Sequence, residues 1–173
     1  GVVVPRGKVE EYVAEADCVL IGPGMTRDNN TARLTNALLK TYQQKKWVID
    51  AGALQMVDVS LLNSSMIMTP HHKEYERVFG TSAETVDAVR EESVRHRNVC
   101  IVLKGHQDLI AMGEHGEEIT GGNEGMTKGG TGDVLAGLIA ALYCASAAFP
   151  SAVVGSYLNK KAGDVLYKKV GPF

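Results

Sequence analysis

Short apolar runs recur along the chain, separated by longer segments in which apolar residues repeat every three or four positions. The runs that we predict to be strands are Cys18–Ile21, Trp47–Ile49, Met66–Met68, Asn98–Leu103 and Leu109–Met112. Stretches such as 19–21 and 101–103 are continuously apolar rather than alternating, which is typical of strands buried on both faces of a sheet.

The segments between these runs predict helices. They cover residues 28–45, 72–79, 82–96, 131–148 and 151–169, with Pro150 between the last two. Buried strands joined by helices predict an α/β fold, a three-layer α/β/α sandwich with a mainly parallel central sheet. We find no repeat and no linker, so we expect residues 1–173 to form one domain, in which Gly1–Pro5 is the end of a strand.

Composition excludes several classes of protein. The 173 residues include 18 Lys or Arg and 20 Asp or Glu, a formal net charge of −2, and 45% are apolar. This balance is unlike that of a basic nucleic-acid-binding protein or a disordered chain. Three dispersed cysteines form no disulfide or metal-ligand pattern, which favours the cytoplasm. The uncharged stretch 134–159 is rich in Ala, Ser and Gly, so we expect buried helices there and no membrane span.

Unusual residues follow four of the predicted strands. They are Gly22–Gly24, Asp50, Thr69–Glu74 and Lys104–Gly105. Because ligands bind beyond the carboxyl ends of parallel strands, we expect these segments to line one crevice. Lys104 is either a phosphate contact or a solvated lysine, and Asp50 is either a strand-end cap or a site carboxylate.

The histidines at the third of these strand ends are adjacent in sequence. His71 and His72 would point apart on a regular element, which argues against a paired-histidine metal site. Each is a surface or capping histidine or, alternatively, a site residue. Glu74 falls in a first helical turn, where it interacts favourably with the helix dipole. Its alternative role is to hold Mg²⁺ through water.

Glycines cluster before the penultimate predicted helix. Seven of the 19 glycines lie from Gly121 to Gly137, and residues 129–133 read Gly-Gly-Thr-Gly-Asp. A helix that begins near Thr131 presents N–H groups and partial positive charge that suit a phosphate. Asp133 either stabilises this helix start or acts as a general base beside a bound phosphate. The segment matches neither a P-loop nor a dinucleotide-binding fingerprint.

Together these motifs resemble the ADP/ATP-dependent NAD(P)HX dehydratase family of the ribokinase-like superfamily. The matching stretches are Ile21–Gly24, Val48–Leu54, Met68–His71 with Glu74, Leu103–Gly105 and Asn123–Gly137. The last is the most specific, because Asn-x-Gly-Met precedes Gly-Gly-Thr-Gly-Asp-Val-Leu-Ala-Gly. The resemblance implies a ribokinase-like fold.

The resemblance also implies a reaction. A phosphoryl group from ADP or ATP, with Mg²⁺, is transferred to the ring hydroxyl of hydrated NADH or NADPH, called NAD(P)HX. Phosphate is then eliminated, and because phosphate leaves more easily than hydroxide, NAD(P)H is restored. Members of this family are often tetramers, so we expect a homo-oligomer, working with a fused or separate NAD(P)HX epimerase and without nucleic-acid or membrane partners.

Individual site residues follow from the matched motifs. Asp133 is the implied catalytic carboxylate. The implied substrate-binding residues are Gly24, His71, Asn123 and Asp133. The implied nucleotide-binding residues are Lys104, Gly105, His106, Gln107, Asp108, Gly130, Thr131 and Gly132. Glu74 is the implied ligand of Mg²⁺ through water.

The sequence departs from the family at three places. The family usually has Asp where Gly52 stands, often Pro-Gly where His72 and Lys73 stand, and a hydroxyl residue, usually Thr, where Asp108 stands. An acidic side chain near nucleotide phosphates would oppose them electrostatically. Family members also have a substantial segment before the position of Gly1 and a further C-terminal element. The 173 residues include neither, and we expect the natural protein to have the N-terminal segment.

Two other functions remain open at this stage. A kinase of the same superfamily, acting on a carbohydrate, a hydroxymethylpyrimidine or a pyridoxal-type substrate, would share Asp133 but release a stable phosphate ester. The segments Asn123–Met126 and Thr69–His71 favour the dehydratase. A nucleotide-binding module without turnover is the third alternative.

Overall fold

Four parallel strands lie in chain order in the computed structural model, which describes residues 6–171. They are β1 (Cys18–Ile21), β2 (Lys46–Ile49), β3 (Met66–Met68) and β4 (Cys100–Leu103). The predicted strand end at 1–5 lies outside the described residues. A parallel register of this kind brings the carboxyl ends of all four strands to the same edge of the sheet.

An antiparallel hairpin extends the sheet beyond β4. It consists of β5 (Asp108–Met112) and β6 (His115–Ile119), so the order of the six strands is β1 to β6. The sheet is therefore mainly parallel, as predicted.

Helices cover both faces of this sheet. Their bounds are Val9–Glu15 (α1), Asn29–Thr41 (α2), Ala51–Leu54 (α3), His72–Phe79 (α4), Val86–Arg95 (α5), Thr131–Ala145 (α6) and Ala148–Val170 (α7). Short 3₁₀ helices cover Arg6–Lys8, Val59–Leu61 and Glu124–Thr127. No helix within residues 6–171 is long and apolar enough to cross a membrane.

Successive residues of the strands enter two separate cores. Trp47 and Ile49 of β2 pack in the core beneath α2, α4 and α5, whereas Val48 packs in the core beneath α6 and α7. All three are completely buried, which explains the continuously apolar run. This arrangement confirms the three-layer α/β/α prediction.

The sequence pattern misplaced some elements. Neither β6 nor α1 was predicted, and α2 and α5 are shorter than expected. The prediction that Pro150 separates two helices was wrong, because the break lies at residues 146–147 and Pro150 is the third residue of α7. Proline is tolerated in a first turn, where its missing N–H would have no acceptor within the helix.

Candidate active site

A tight glycine turn closes the end of β1 against the end of β2. The Met25 N–H donates to the Gly22 carbonyl over 2.9 Å. Gly22 has a φ of 120°, and a Cβ there would lie 1.7 Å from the carbonyl oxygen of Asp50. Only glycine fits at this position, which fixes the backbone next to Asp50.

The buried carboxylate of Asp50 is paired with a lysine from another strand end. Lys104 Nζ lies 3.0 Å from Asp50 Oδ1, and the two side chains are 19% and 2% exposed. The Lys104 N–H donates to the Pro70 carbonyl over 2.8 Å, which holds the ends of β3 and β4 together. Asp50 is the N-cap residue of α3, but its side chain makes no capping bond and is paired with Lys104 instead.

His71 and Glu74 form a capping box at the start of α4. The Glu74 N–H donates to His71 Nδ1 over 3.2 Å, and the His71 N–H donates to Glu74 Oε2 over 3.0 Å. The other Glu74 oxygen accepts from Gln55 Nε2 over 2.9 Å. Both residues therefore hold the helix start, while half of the His71 side chain stays exposed. Among residues 6–171, no group of three His, Cys, Asp or Glu side chains is arranged to hold a metal ion.

The glycine-rich segment forms the start of α6, as predicted. Gly130 is the N-cap residue with a φ of 92°, and a Cβ at Gly129 or Gly130 would meet nothing within 4 Å. The Gly132 N–H is one of the first amides of α6, which have no acceptor inside the helix. Asp133 lies exposed in the first turn. The open space around these glycines leaves room for a ligand at the positive end of the helix.

Lys104 links the strand ends to this helix start. Its Nζ lies 3.4 Å from the place that a Cβ on Gly132 would occupy. Within the described residues, its one hydrogen-bond partner is Asp50. The ammonium group is thus positioned between a buried carboxylate and the N-terminus of α6, with N–H donors left for a ligand.

A cavity of about 530 Å³ opens beside Lys104 and α6, and we call it the first cavity. It is lined by Lys104, Gly105, His106, Asp108, Gly121, Gly122, Asn123, Glu124, Met126, Thr127, Thr131, Gly132, Leu135, Asn159 and Lys160. Seven predicted site residues are therefore brought together here. A second cavity of about 550 Å³ shares Asn123, Met126, Thr131 and Asn159 with the first and includes Gly130.

The remaining predicted residues lie elsewhere. The side chain of Gln107 donates to Glu118 on β6. Gly24, His71 and Asp133 line neither cavity, although Asp133 is next to two residues that do. Gly24 has a φ of 73° and open space around it.

Sequence reasoning missed a buried ion pair at the first cavity. Lys160 Nζ of α7 lies 3.2 Å from Asp108 Oδ1, and both side chains are less than a tenth exposed. The acidic residue at the family's hydroxyl position is thus paired with a cation. The one available signal was the polar residues Ser156, Lys160 and Asp164, spaced four apart on the apolar side of the chain's last helix.

Asn123 is held by a carboxylate that sequence reasoning also missed. Its Nδ2 donates to Asp164 Oδ1 over 3.1 Å, and its Oδ1 accepts from the Gly125 N–H over 3.0 Å. The bonds from Asn123 and from the Gly122 N–H lower the pKa of Asp164. The predicted substrate residue Asn123 therefore also has a structural role in its own loop.

Comparison with known proteins identifies the family. A family model described as NAD(P)H-hydrate dehydratase matches residues 4–172. The chain belongs to the NAD(P)H-hydrate dehydratase family. The family resemblance stated from the sequence motifs is confirmed.

Two relatives of this chain are named as NAD(P)H-hydrate repair or dehydratase enzymes. The chain is 40% identical over 164 residues to the bifunctional NAD(P)H-hydrate repair enzyme Nnr of Archaeoglobus fulgidus, covering 95% of this chain and 33% of the relative. It is 31% identical over 163 residues to the ADP-dependent (S)-NAD(P)H-hydrate dehydratase of Enterococcus faecalis, covering 90% of this chain and 56% of that enzyme. The chain thus spans between a third and just over half of these relatives.

A solved structure confirms the predicted fold class. The crystal structure of a ribokinase-like superfamily protein from Enterococcus faecalis has a TM-score of 0.82 and 30% sequence identity to this chain. The match covers 92% of this chain and 59% of the other. The fold is therefore ribokinase-like.

Proposed function

We propose that this chain provides the nucleotide site and the catalytic carboxylate of an ADP- or ATP-dependent dehydratase that converts hydrated NAD(P)H to NAD(P)H. One observation carries the proposal: Lys104 Nζ and the glycine-rich start of α6 meet at the first cavity. A cation and helix amides at one point suit the phosphates of a nucleotide.

Asp133 is the group that we propose to act on the substrate. Its carboxylate would accept the proton of the ring hydroxyl as that oxygen attacks the terminal phosphorus of the nucleotide. The phosphorus–oxygen bond to the rest of the nucleotide then breaks. The N–H groups at the start of α6 and the Lys104 ammonium stabilise the charge on the transferring group. The ring loses phosphate together with a proton from the neighbouring carbon, and the double bond is restored.

Substrate and nucleotide would occupy neighbouring regions. Residues 104–108, Gly130, Thr131 and Gly132 would hold the nucleotide, and Gly24, His71 and Asn123 the hydrated dinucleotide. The family relationship supports this division, and the first cavity brings Asn123 close to Lys104, Thr131 and Gly132. His71 retains a half-exposed ring for such a contact.

The described residues fit a cation that is held mainly by the nucleotide. Mg²⁺ supplies neutralisation of the phosphate charge when it is bound. Glu74 accepts one hydrogen bond on each oxygen, from the His71 N–H in the capping box and from the Gln55 side chain, and keeps further lone pairs for a water. We therefore propose a water-mediated contact from Glu74.

The setting of the reaction is also a proposal. We propose a cytoplasmic homo-oligomer, a tetramer, that works with an NAD(P)HX epimerase, fused or separate. The bifunctional repair enzyme among the relatives supports a fused partner. Size measurement of the full-length natural protein tests the tetramer.

A product assay tests the function. Purified protein with hydrated NADH, Mg²⁺ and ADP or ATP is expected to restore the near-ultraviolet absorbance of NADH and release phosphate. A kinase would instead form a stable phosphate ester with another substrate and leave hydrated NADH unchanged. A binding module would show heat protection by nucleotide without any product. Either of the last two results would reject the proposal.

Asp133→Asn tests the proposed base. Loss of a general base typically costs about 10²–10⁴ in rate. Nucleotide affinity should be retained, because the backbone N–H groups of α6 remain. Steady-state kinetics and calorimetric nucleotide binding measure both, and full activity in this variant would remove Asp133 from the mechanism.

A further inference from the structure

The side chain of Lys160 binds the backbone of two loops. Its Nζ donates to the carbonyl oxygens of Gly105 over 3.1 Å, His106 over 3.0 Å and Gly121 over 3.4 Å. The first two belong to the loop between β4 and β5, and the third lies after β6. All three residues line the first cavity.

These contacts leave Lys160 with no donor for a ligand. An ammonium group has three N–H donors, and the three carbonyls together with Asp108 use them all. The side chain is only 7% exposed. Lys160 therefore does not act as a phosphate-binding lysine, although it lines the same cavity as Lys104.

Asp108, the acidic partner of Lys160, binds the first of these loops and α7 through its two carboxylate oxygens. Its Oδ1 accepts the Gly105 N–H over 3.0 Å, and its Oδ2 accepts the Ser156 hydroxyl over 2.6 Å. Asp108 thus anchors the same loop that Lys160 binds and connects it to α7. Its negative charge is paired with the positive charge of Lys160, although Asp108 also lines the first cavity.

The same side of α7 also contacts the second loop, which follows β6 and includes Gly121, Gly122, Glu124 and Met126. The Gly122 N–H donates to Asp164 Oδ2 over 3.3 Å. A Cβ on Gly163 would lie 2.3 Å from the sulfur of Met126, so this loop packs directly on the helix backbone. The Tyr167 hydroxyl donates to Glu124. Asp164 and Tyr167, four and seven positions after Lys160, therefore lie on the same face of the helix as Lys160.

We propose that Lys160 is a positioning residue that holds both loops of the first cavity in their ligand-binding geometry before the nucleotide arrives. The inference rests on the proposed nucleotide site. A loop that is already ordered costs less conformational entropy on binding, so Lys160 raises nucleotide affinity without touching the nucleotide.

A simpler role for Lys160 would be to neutralise Asp108 and nothing else. The two roles make different predictions for a double variant that removes both charges. If neutralisation were the whole role, Lys160→Met combined with Asp108→Asn would restore normal binding. If Lys160 positions the loops, the three carbonyls remain unbridged in the double variant and binding stays weak.

The test compares Lys160→Met and the double variant with two reference variants, Asp108→Asn and Lys161→Met. Lys160→Met alone should be unstable, because it leaves Asp108 buried without its partner. The double variant should recover its thermal stability but bind ADP and ATP about tenfold more weakly, since apparent affinity falls with the populated fraction of the binding-competent loops. Its nucleotide KM should rise while kcat changes little. Lys161→Met, on the same helix but exposed, is the matched control and should behave like the wild type.

A measurement on the wild-type protein needs no variant. The Gly105 and Gly122 amides, which donate to Asp108 and Asp164, should exchange their hydrogens slowly before ADP is added. Rapid exchange that becomes slow only with ADP would mean that the nucleotide orders the loops, and this would overturn the inference.

The outcomes separate the inference from the function. Absence of ADP and ATP binding by the wild type would overturn the proposed function and the inference together. Normal wild-type binding with unchanged affinity in the double variant would overturn the inference alone. A tenfold loss in the double variant relative to Asp108→Asn alone, with a normal Lys161→Met control, would support it, whereas equal affinity of the double variant and Asp108→Asn would overturn it.

Discussion

Lys104 and Lys160 reach the same cavity, yet their surroundings differ. Lys104 follows a strand and keeps 19% of its side chain exposed, and within the described part of the chain its ammonium group binds only Asp50. Lys160 belongs to a helix, is 7% exposed and is bound to Asp108 and three backbone carbonyls. One lysine has donors left for a ligand, and the other has none.

This difference shows that charge in a cavity does not by itself identify a ligand contact. Each lysine is balanced by a carboxylate that is less than a tenth exposed. Under the proposed function, the negative charge of the nucleotide would therefore be met mainly by the amides of α6, by the free donors of Lys104 and by a cation that accompanies the nucleotide.

The largest effect that would test this contrast is expected for Lys104→Met. Removal of one donor that stabilises transition-state charge typically lowers kcat by about 10²–10³. Because the change also leaves Asp50 buried and unpaired, Lys104→Met with Asp50→Asn serves as the stability-matched variant. Relative to the Asp50→Asn single variant, steady-state kinetics should show a lower kcat, whereas the Lys160 double variant should show a raised KM with little change in kcat. If the Lys104 variant changed only KM, Lys104 would be a positioning residue like Lys160, and the contrast would be wrong.

A smaller effect is expected at the backbone that positions Asp50. A Cβ on Gly52 would lie 2.1 Å from the Met25 carbonyl oxygen, so the Asp usual in this family does not fit here without a backbone shift. Gly52→Ala should lower the free energy of unfolding by about 1–3 kcal/mol, as overpacking does. Gly137→Ala is the control, since a Cβ there meets nothing within 4 Å. Equal stability of the two variants in denaturant titrations would contradict the close packing at Gly52.

The smallest effect concerns the carboxylate that supports the loop bound by Lys160. The pKa of Asp164 is lowered below its ordinary 3.8 by Asn123 and Gly122, so its bonds stabilise the fold above that pH and are lost as the pH falls through the lower folded value. Asp164→Asn should therefore melt below the wild type at neutral pH, and the difference should shrink as the pH drops below 3.8. A difference in melting temperature that stays constant with pH would show that the charge of Asp164 is irrelevant.

Much of the fold could be predicted because its signals are local. The apolar strand runs and the Gly-Gly-Thr-Gly-Asp segment each identify an element without knowledge of the rest of the chain. β6 escaped prediction because His115–Ile119 is mostly polar, and this edge strand is defined by its pairing with β5. Pairing between backbones does not require apolar side chains, so the hydrophobic pattern does not indicate such a strand.

The candidate site could be proposed from the sequence where motifs carry it, but not where residues distant in the chain meet. Lys104 stands out at a strand end before glycine. Lys160 pairs with Asp108 from a helix much later in the chain, and no local spacing indicates that contact. For the same reason, the effect of the acidic residue at position 108 could be judged only after its partner was seen.

The order of the strands and helices along the chain has a consequence for folding during biosynthesis. β1 to β4 pair in chain order, and α2, α4 and α5 cover one side as they are made. Within the described residues, the other side packs against α6 and α7, which follow all six strands in the chain. Until they emerge, Val48, Ile67 and Val102 form a bare apolar surface, and we expect the nascent chain to depend on chaperones for that interval.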